Sequence, residues 1–172
     1  MDLFPAAFET ERLRYERLDE SMGAFELYEY TSGDEFAEVG RFISQGRHHT
    51  PTETADYLAE SAERWNEGSR ANWAMYPTAG EDDAGEFAGV ASLIPLWDRR
   101  TARFGVWLRK PFWGRGYSGE RADALVELTF DRLDLELVGA GCVAGNENSK
   151  RAIEKYVERW GGRSEERRVG KE

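Results

Sequence analysis

A strand-like run, Arg103-Phe104-Gly105-Val106-Trp107-Leu108, leads through Arg109-Lys110-Pro111-Phe112 into Trp113-Gly114-Arg115-Gly116-Tyr117-Ser118-Gly119, after which the pattern turns helical. A glycine-rich turn at the head of a helix lets consecutive backbone N–H groups converge where the first helical donors are unpaired, and the helix dipole adds positive potential there. Such a turn suits a phosphate. Between residues 109 and 121 the chain places Arg109, Lys110, Arg115 and Arg121 against the single Glu120, whereas the whole chain carries 33 acidic against 23 basic residues, a formal net charge of −10. The local reversal fits a polyanionic ligand; the bland alternative is a tight turn with solvated arginines.

Gly114, Gly116 and Gly119 also spell G-x-G-x-x-G, and Asp134 and Glu136 lie near the distance at which a dinucleotide fold places its ribose-binding acid. Context argues against that reading. The dinucleotide turn follows its strand directly, early in a domain that then alternates strand and helix. Here Lys110-Pro111-Phe112-Trp113 separates strand from glycines, a strand meander precedes them, and only one further strand and helix follow.

The 172 residues, 40% of them hydrophobic, are enough for one core and too few for two ordinary domains. The first residues carry Asp2, Glu9 and Glu11 where a leader would be basic and then apolar, and no apolar run approaches the ~20 residues that span a bilayer. A cytoplasmic protein without a membrane partner is expected. Cys142 is the only cysteine, set in an apolar segment that reads as a buried strand, so an intrachain disulfide is excluded. His48 and His49 are adjacent and lack the spacing of a helical metal pair, so no metal is expected. The acidic charge, with only four lysines, has the character of salt adaptation and disfavours direct nucleic-acid binding.

Residues 8–15 read as one opening strand and residues 22–30 as a helix. A second helix begins after Thr50-Pro51-Thr52-Glu53, a capping box with proline in the first turn, and places Ala55, Leu58, Ala62 and Trp65 on one face. Residues 71–76, 86–94 and 102–108 read as strands whose short connections favour an antiparallel meander. The helix after the glycine turn buries Ala122, Leu125, Val126, Thr129 and Leu133; residues 135–143 follow as a buried strand and residues 149–160 as a last helix. The order implies an α+β fold with a mixed sheet. One domain is expected over residues 8–162, followed by a charged, disordered tail at 163–172.

A second constellation, Asn146-Glu147-Asn148-Ser149, has the composition of a helix cap. Taken with the glycine turn, however, it resembles the second of the two acetyl-CoA motifs of the GCN5-related N-acetyltransferases (GNAT). Thr10-Glu11-Arg12-Leu13 resembles the opening strand of their ribosomal-protein N-terminal acetyltransferase branch. The resemblance implies an acyl-CoA N-acyltransferase fold, acetyl-CoA as donor, and a primary amine as acceptor: a protein N-terminus, ribosomal proteins included, or a small amine. It implies that Val106, Trp107 and Leu108 offer backbone groups to the thioester and pantetheine, and that the turn of Trp113, Gly114, Arg115, Gly116, Tyr117, Ser118 and Gly119 binds the cofactor, with the amides of Arg115 to Gly119 on the pyrophosphate. Asn146 would hold the pantetheine arm and Ser149 would lie near the sulfur. The amine attacks the thioester directly.

There are departures from the family pattern. Its first motif position is often Gln or Arg, here Trp113, and its last Gly or Ala, here Ser118. The tyrosine that many relatives carry seven residues after the asparagine is Ile153, which leaves Ser149 as candidate general acid and Tyr156, about a turn away, as a weaker one. The acid that relatives carry on the central strand aligns with Arg103; Glu86 and Asp98 are candidates for a base by location alone, and the base stays unassigned. An α-amine, with a pKa near ~8 against ~10.4 for lysine, needs less help to lose its proton, which favours an N-terminal acceptor. The last two strands of the family are expected to be missing. An acyl-CoA-binding but catalytically impaired relative is therefore the alternative.

Overall fold

The computed structural model describes residues 2–40, 46–141 and 147–163. The chain opens with a hairpin. β1 (Ala7–Glu9) and β2 (Leu13–Arg17) pair antiparallel, and Thr10 N–H donates to Leu13 O at 2.8 Å to close the turn between them. The single opening strand expected from sequence is thus two strands, because Thr10-Glu11-Arg12 reverses the chain where the weak alternation showed no break.

Four helices follow: α1 (Leu18–Ser21), α2 (Ala24–Thr31), α3 (Asp34–Gly40) and α4 (Pro51–Glu67). The ends of α4 are as its sequence dictates. Thr50 Oγ1 accepts from Glu53 N–H at 3.4 Å, Glu53 Oε2 accepts from Thr50 N–H at 3.2 Å, and Gly68 terminates the helix at φ +73°. Its buried face is Thr54, Leu58, Ser61 and Trp65, while Ala55 is exposed. The face is rotated from the expected one because Ser61 and Thr54 have buried polar partners, which hydrophobic periodicity does not register.

β3 (Ala71–Pro77), β4 (Gly89–Leu96) and β5 (Thr101–Leu108) form the expected antiparallel meander. α5 (Tyr117–Glu127) runs into a turn of π-helix, Leu128–Arg132, and the chain returns as β6 (Leu137–Ala140), parallel to β5, before α6 (Glu147–Arg159). The described sheet has six strands in chain order, antiparallel except for its last pair, which makes the mixed sheet of an α+β fold. β6 is half exposed, with Leu137 62% accessible, where a buried strand was expected. It lies at the described edge, and β5 covers one side of it. Cys142, Asn146 and residues 164–172 of the charged tail lie outside the described residues.

Alternation along the strands splits the core in two. Ala74, Val90 and Trp107 are register partners across β3, β4 and β5 and pack with Leu18, Leu27, Phe36 and Leu58 from the first four helices. The other face gathers Leu13, Tyr15, Trp73, Met75, Leu93 and Phe104 against Phe112, Tyr117, Leu125 and Val126 of the glycine turn and α5. All five residues expected on the inner face after the turn, Ala122, Leu125, Val126, Thr129 and Leu133, are buried. At ~1.5–3 kcal/mol for each large apolar side chain, these clusters hold β5 and α5 at fixed separation. That separation positions the site.

Candidate functional site

β5 has two unlike edges. Toward β4 it is paired along its whole length, from Leu96↔Thr101 to Gly89↔Leu108. Toward β6 the pairing stops at Phe104↔Ala140. Arg109 N–H donates to Ala88 O at 2.8 Å, which sets the alternation of backbone groups along β5. Trp107 therefore turns its N–H and C=O to β4, whereas Val106 and Leu108 turn theirs to the other edge, where no described strand pairs with them. Of the three residues expected to offer backbone groups, the structure presents two. The Trp107 side chain is buried on the opposite face, edge-on to Phe36 and Phe87 at centroid distances of 5.1 and 5.6 Å.

The open edge leads into the glycine turn. Gly114 and Gly116 adopt φ +77° and +79°, a conformation that costs other residues about 1–2 kcal/mol. Trp113, the unusual first residue of the turn, donates its indole N–H to Leu108 O at 2.8 Å and so ties the turn to the strand end. α5 starts at Tyr117 with no side-chain cap on its first N–H groups. Free donors, helix dipole and open strand edge face one cleft of about 1500 Å3.

That cleft brings together most of the residues singled out from sequence: Val106, Trp107, Leu108, Trp113, Gly114, Gly116, Tyr117, Ser118, Gly119, Ser149 and Tyr156. Ser149 and Tyr156 both lie on α6. Their seven-residue spacing is two turns, about 10 Å of rise, rather than one. Arg115 is not brought into the cleft. Its guanidinium turns to Asp83 at 2.7 Å and to Asp82 O at 3.1 Å, in the loop between β3 and β4. Neither Glu86 nor Asp98 lines the cleft, while Glu9, Glu11 and Glu38 do. Asp134 and Glu136 are bound to Arg100 at 3.4 and 2.8 Å, at the far end of β5. A strand's length, about 23 Å, separates them from the turn, so they cannot serve a ribose there.

The basic cluster read from sequence is not a basic surface. Arg109 faces Glu35 at 3.5 Å and lies over the Tyr30 ring, Lys110 pairs with Glu38 at 2.8 Å, and Arg115 pairs with Asp83. These acids come from distant segments, so the count over residues 109–121 overstated the local positive charge. Arg121 differs from the other three in having no carboxylate within ion-pair distance among the described residues.

Sequence reasoning missed how the turn is clamped. Arg12 donates its Nε to Glu120 Oε2 at 2.9 Å and its backbone N–H to Glu120 Oε1 at 2.8 Å; its Nη1 donates to Arg115 O at 2.7 Å. The guanidinium also lies 5.0 Å from the centroid of Tyr117. From the opposite side Tyr117 donates its hydroxyl to Glu81 Oε1 at 3.0 Å, and burial pushes this phenol up from its ordinary pKa. Thr10-Glu11-Arg12-Leu13 is thus a strut for the glycine turn as well as a strand opening. The signal was available as an arginine and a glutamate in two separate motifs, though nothing in the spacing pairs them.

No group of three or more His, Cys, Asp or Glu side chains among the described residues is arranged to hold a metal, and no described helix is long and apolar enough to cross a membrane.

No curated protein matches the chain. The fold is similar to that of a T. thermophilus protein assigned as an acetyltransferase, with a TM-score of 0.70 and 30% identity over 88% of this chain and 74% of that one. It is also similar to RimL, a ribosomal L7/L12 alpha-N-protein acetyltransferase in complex with coenzyme A (TM-score 0.74, 19% identity, 88% and 81% of the two chains). A GCN5-related N-acetyltransferase from Brucella melitensis matches at a TM-score of 0.71 and 20% identity, over 90% and 66%. A family model, the acetyltransferase (GNAT) domain, matches residues 12–156. With the open strand edge, the glycine turn and α6 all inside or bordering that span, the chain belongs to the GNAT acetyltransferases, enzymes that use acetyl-CoA as acetyl donor.

Proposed function

We propose that this enzyme acetylates a primary amine, specifically a protein N-terminal α-amine, with acetyl-CoA lying along the open edge of β5. One observation carries the reading: the Val106 backbone and the Leu108 N–H, which no described strand pairs, lead through the short turn Lys110–Phe112 into an uncapped, glycine-rich helix start. The strand edge suits an amide-bearing chain such as pantetheine, which can pair with it as a strand would. The helix start suits a diphosphate.

In this reading the N–H groups of Val106 and Leu108 take the pantetheine and polarise the thioester carbonyl. The backbone amides of Gly114, Arg115, Gly116, Tyr117, Ser118 and Gly119 take the pyrophosphate, and Trp113 fixes the turn against Leu108. Asn146, outside the described residues, would hold the pantetheine arm. The acceptor nitrogen attacks the carbonyl carbon, the C–S bond breaks, and the thiolate takes a proton from Ser149, which is reprotonated from water; the amine gives its proton to water. Tyr156 is the second candidate for the acid. Stabilising the developing oxyanion by preorganised N–H groups and aligning the two reactants supply most of the rate enhancement.

The α-amine acceptor rests on two supports. No carboxylate is assigned as base, and an amine of pKa near ~8 demands less of one. The likeness to RimL, which acts on a ribosomal protein's α-amine, points the same way and makes a ribosomal protein N-terminus the first acceptor to try. Titration with acetyl-CoA, followed by thiol release with a free α-amine peptide and with its N-blocked, lysine-containing analogue, tests the proposal. Binding and faster turnover of the α-amine peptide are expected. Faster lysine turnover would remove the acceptor assignment, and binding without turnover on any amine would leave an acyl-CoA-binding protein that does not transfer.

A further inference from the structure

Arg121 is 1% exposed and lies one layer beneath the cleft, within the first turns of α5. Its Nε donates to Ser118 O at 3.2 Å, Nη2 to Ser118 Oγ at 3.1 Å and Nη1 to Gly105 O at 3.4 Å, and the guanidinium carbon is 5.8 Å from the Tyr156 ring centroid. Every acceptor is neutral. Glu120, the acid next to it, faces away and is held by Arg12. Asp123, two residues on, is held by Arg159.

A buried guanidinium without a counter-charge is unfavourable, and desolvation depresses the Arg121 pKa accordingly. Arginine nevertheless keeps its proton in proteins, so the charge stays. It stands beside the positive end of the α5 dipole, which has the same sign and adds to the cost. A second sealed polar group lies nearby: the Tyr15 hydroxyl is buried with no hydrogen-bond partner among the described residues, and burial raises its pKa. Below the turn, no carboxylate among the described residues balances the Arg121 charge.

We propose that Arg121 is a positioning residue for the diphosphate of the donor: its buried charge is balanced when that anion sits on the glycine turn, and it aims the turn through both oxygens of Ser118. The inference rests on the donor site proposed above and goes beyond it by assigning the electrostatic anchor to a side chain that does not line the cleft. It also accounts for Ser118 in place of the family's usual Gly or Ala, since the hydroxyl accepts one of the guanidinium's hydrogen bonds.

The test compares the wild type with Arg121→Lys, which keeps the charge, Arg121→Gln, which keeps a hydrogen-bond donor without charge, and Arg121→Met, which keeps neither. Each is titrated with acetyl-CoA, with acetyl-pantetheine, which lacks the diphosphate, and with inorganic pyrophosphate. Melting temperature is read with and without pyrophosphate. The expected result is a loss of about 10- to 100-fold in affinity for acetyl-CoA and for pyrophosphate in the Gln and Met variants. Acetyl-pantetheine should change less than about twofold, Lys should recover most of the loss, and KM should rise more than kcat falls. Melting temperature without ligand should be unchanged or higher in the Met variant, because an unbalanced buried charge is removed. Equal losses for acetyl-CoA and acetyl-pantetheine, or full retention of acetyl-CoA affinity by the Gln variant, would reduce Arg121 to a structural fastener and overturn the proposal. If the Met variant does not fold, the contrast between Lys and Gln decides alone. A wild type that binds neither acetyl-CoA nor pyrophosphate would overturn the donor site itself, and this inference with it; a wild type that binds both, with variants that do too, would remove only this inference.

Discussion

The two edges of β5 are built from the same eight residues and have opposite fates. On the β4 side eight register pairs run to the end of the strand, and Gly89, at φ +155°, lets the two backbones approach so closely that a Cβ there would lie 2.1 Å from Trp107 O. On the β6 side four pairs form and the strand is then left open at Val106 and Leu108. The comparison shows how a sheet leaves part of one edge open without losing its integrity. The closed edge carries the mechanical load, and the open one is held in place by side chains outside the sheet: the Trp113 indole, the Arg12 strut and the loop carrying Glu81 and Asp83.

The closed edge should be the more sensitive. Gly89→Ala meets backbone at 2.1 Å and 2.9 Å and forces a φ that alanine avoids, so a loss of about 4 kcal/mol or more, or failure to fold, is expected by chemical denaturation. Retention of wild-type stability would mean that the β4–β5 contact is looser than described. On the open side, Glu120→Gln turns a charge-assisted bond into a neutral one and leaves Arg12 without its ion pair. About 1.5–3 kcal/mol is expected, read as a 10- to 100-fold rise in the acetyl-CoA dissociation constant with a smaller change in melting temperature. If stability and affinity fell together, strut and sheet would be one unit, and the division between the edges would be lost.

Smaller changes sharpen the contrast. Asn72→Ala removes the centre of a buried network on the face of α4, where Asn72 donates to Ser61 Oγ at 3.0 Å and accepts from Ser92 Oγ at 2.7 Å. About 1–3 kcal/mol of stability should go, with donor affinity within about twofold of wild type. Gly114→Ala meets no atom within 4 Å and suffers only from its φ of +77°, so about 1 kcal/mol, or a fivefold weakening of donor binding, is expected by titration.

Local rules were enough for much of the fold. The capping box of α4, the meander of β3 to β5 and the inner face of α5 follow from side chains within a few residues of one another, and the structure has them where such rules place them. The glycine turn was legible for the same reason. What stayed hidden depends on partners far along the chain. Arg109, Lys110 and Arg115 looked like a basic patch because Glu35, Glu38 and Asp83, which neutralise them, are 74, 72 and 32 residues away. The reversal at Thr10-Glu11-Arg12 and the polar face of α4 were missed because hydrogen bonds, rather than hydrophobic alternation, decide them.

The Arg12–Glu120 contact joins residues 108 positions apart. Closing so long a loop carries an entropic cost that must be met before the contact returns anything, and both partners must have been synthesised before it can form. As the chain leaves the ribosome, its first hairpin waits for most of the sheet and the head of α5 to be made before the glycine turn acquires its strut. On the proposed reading of the turn, competence to hold the donor is thus among the last properties the nascent chain gains, and a partly folded enzyme would draw little acetyl-CoA from the pool.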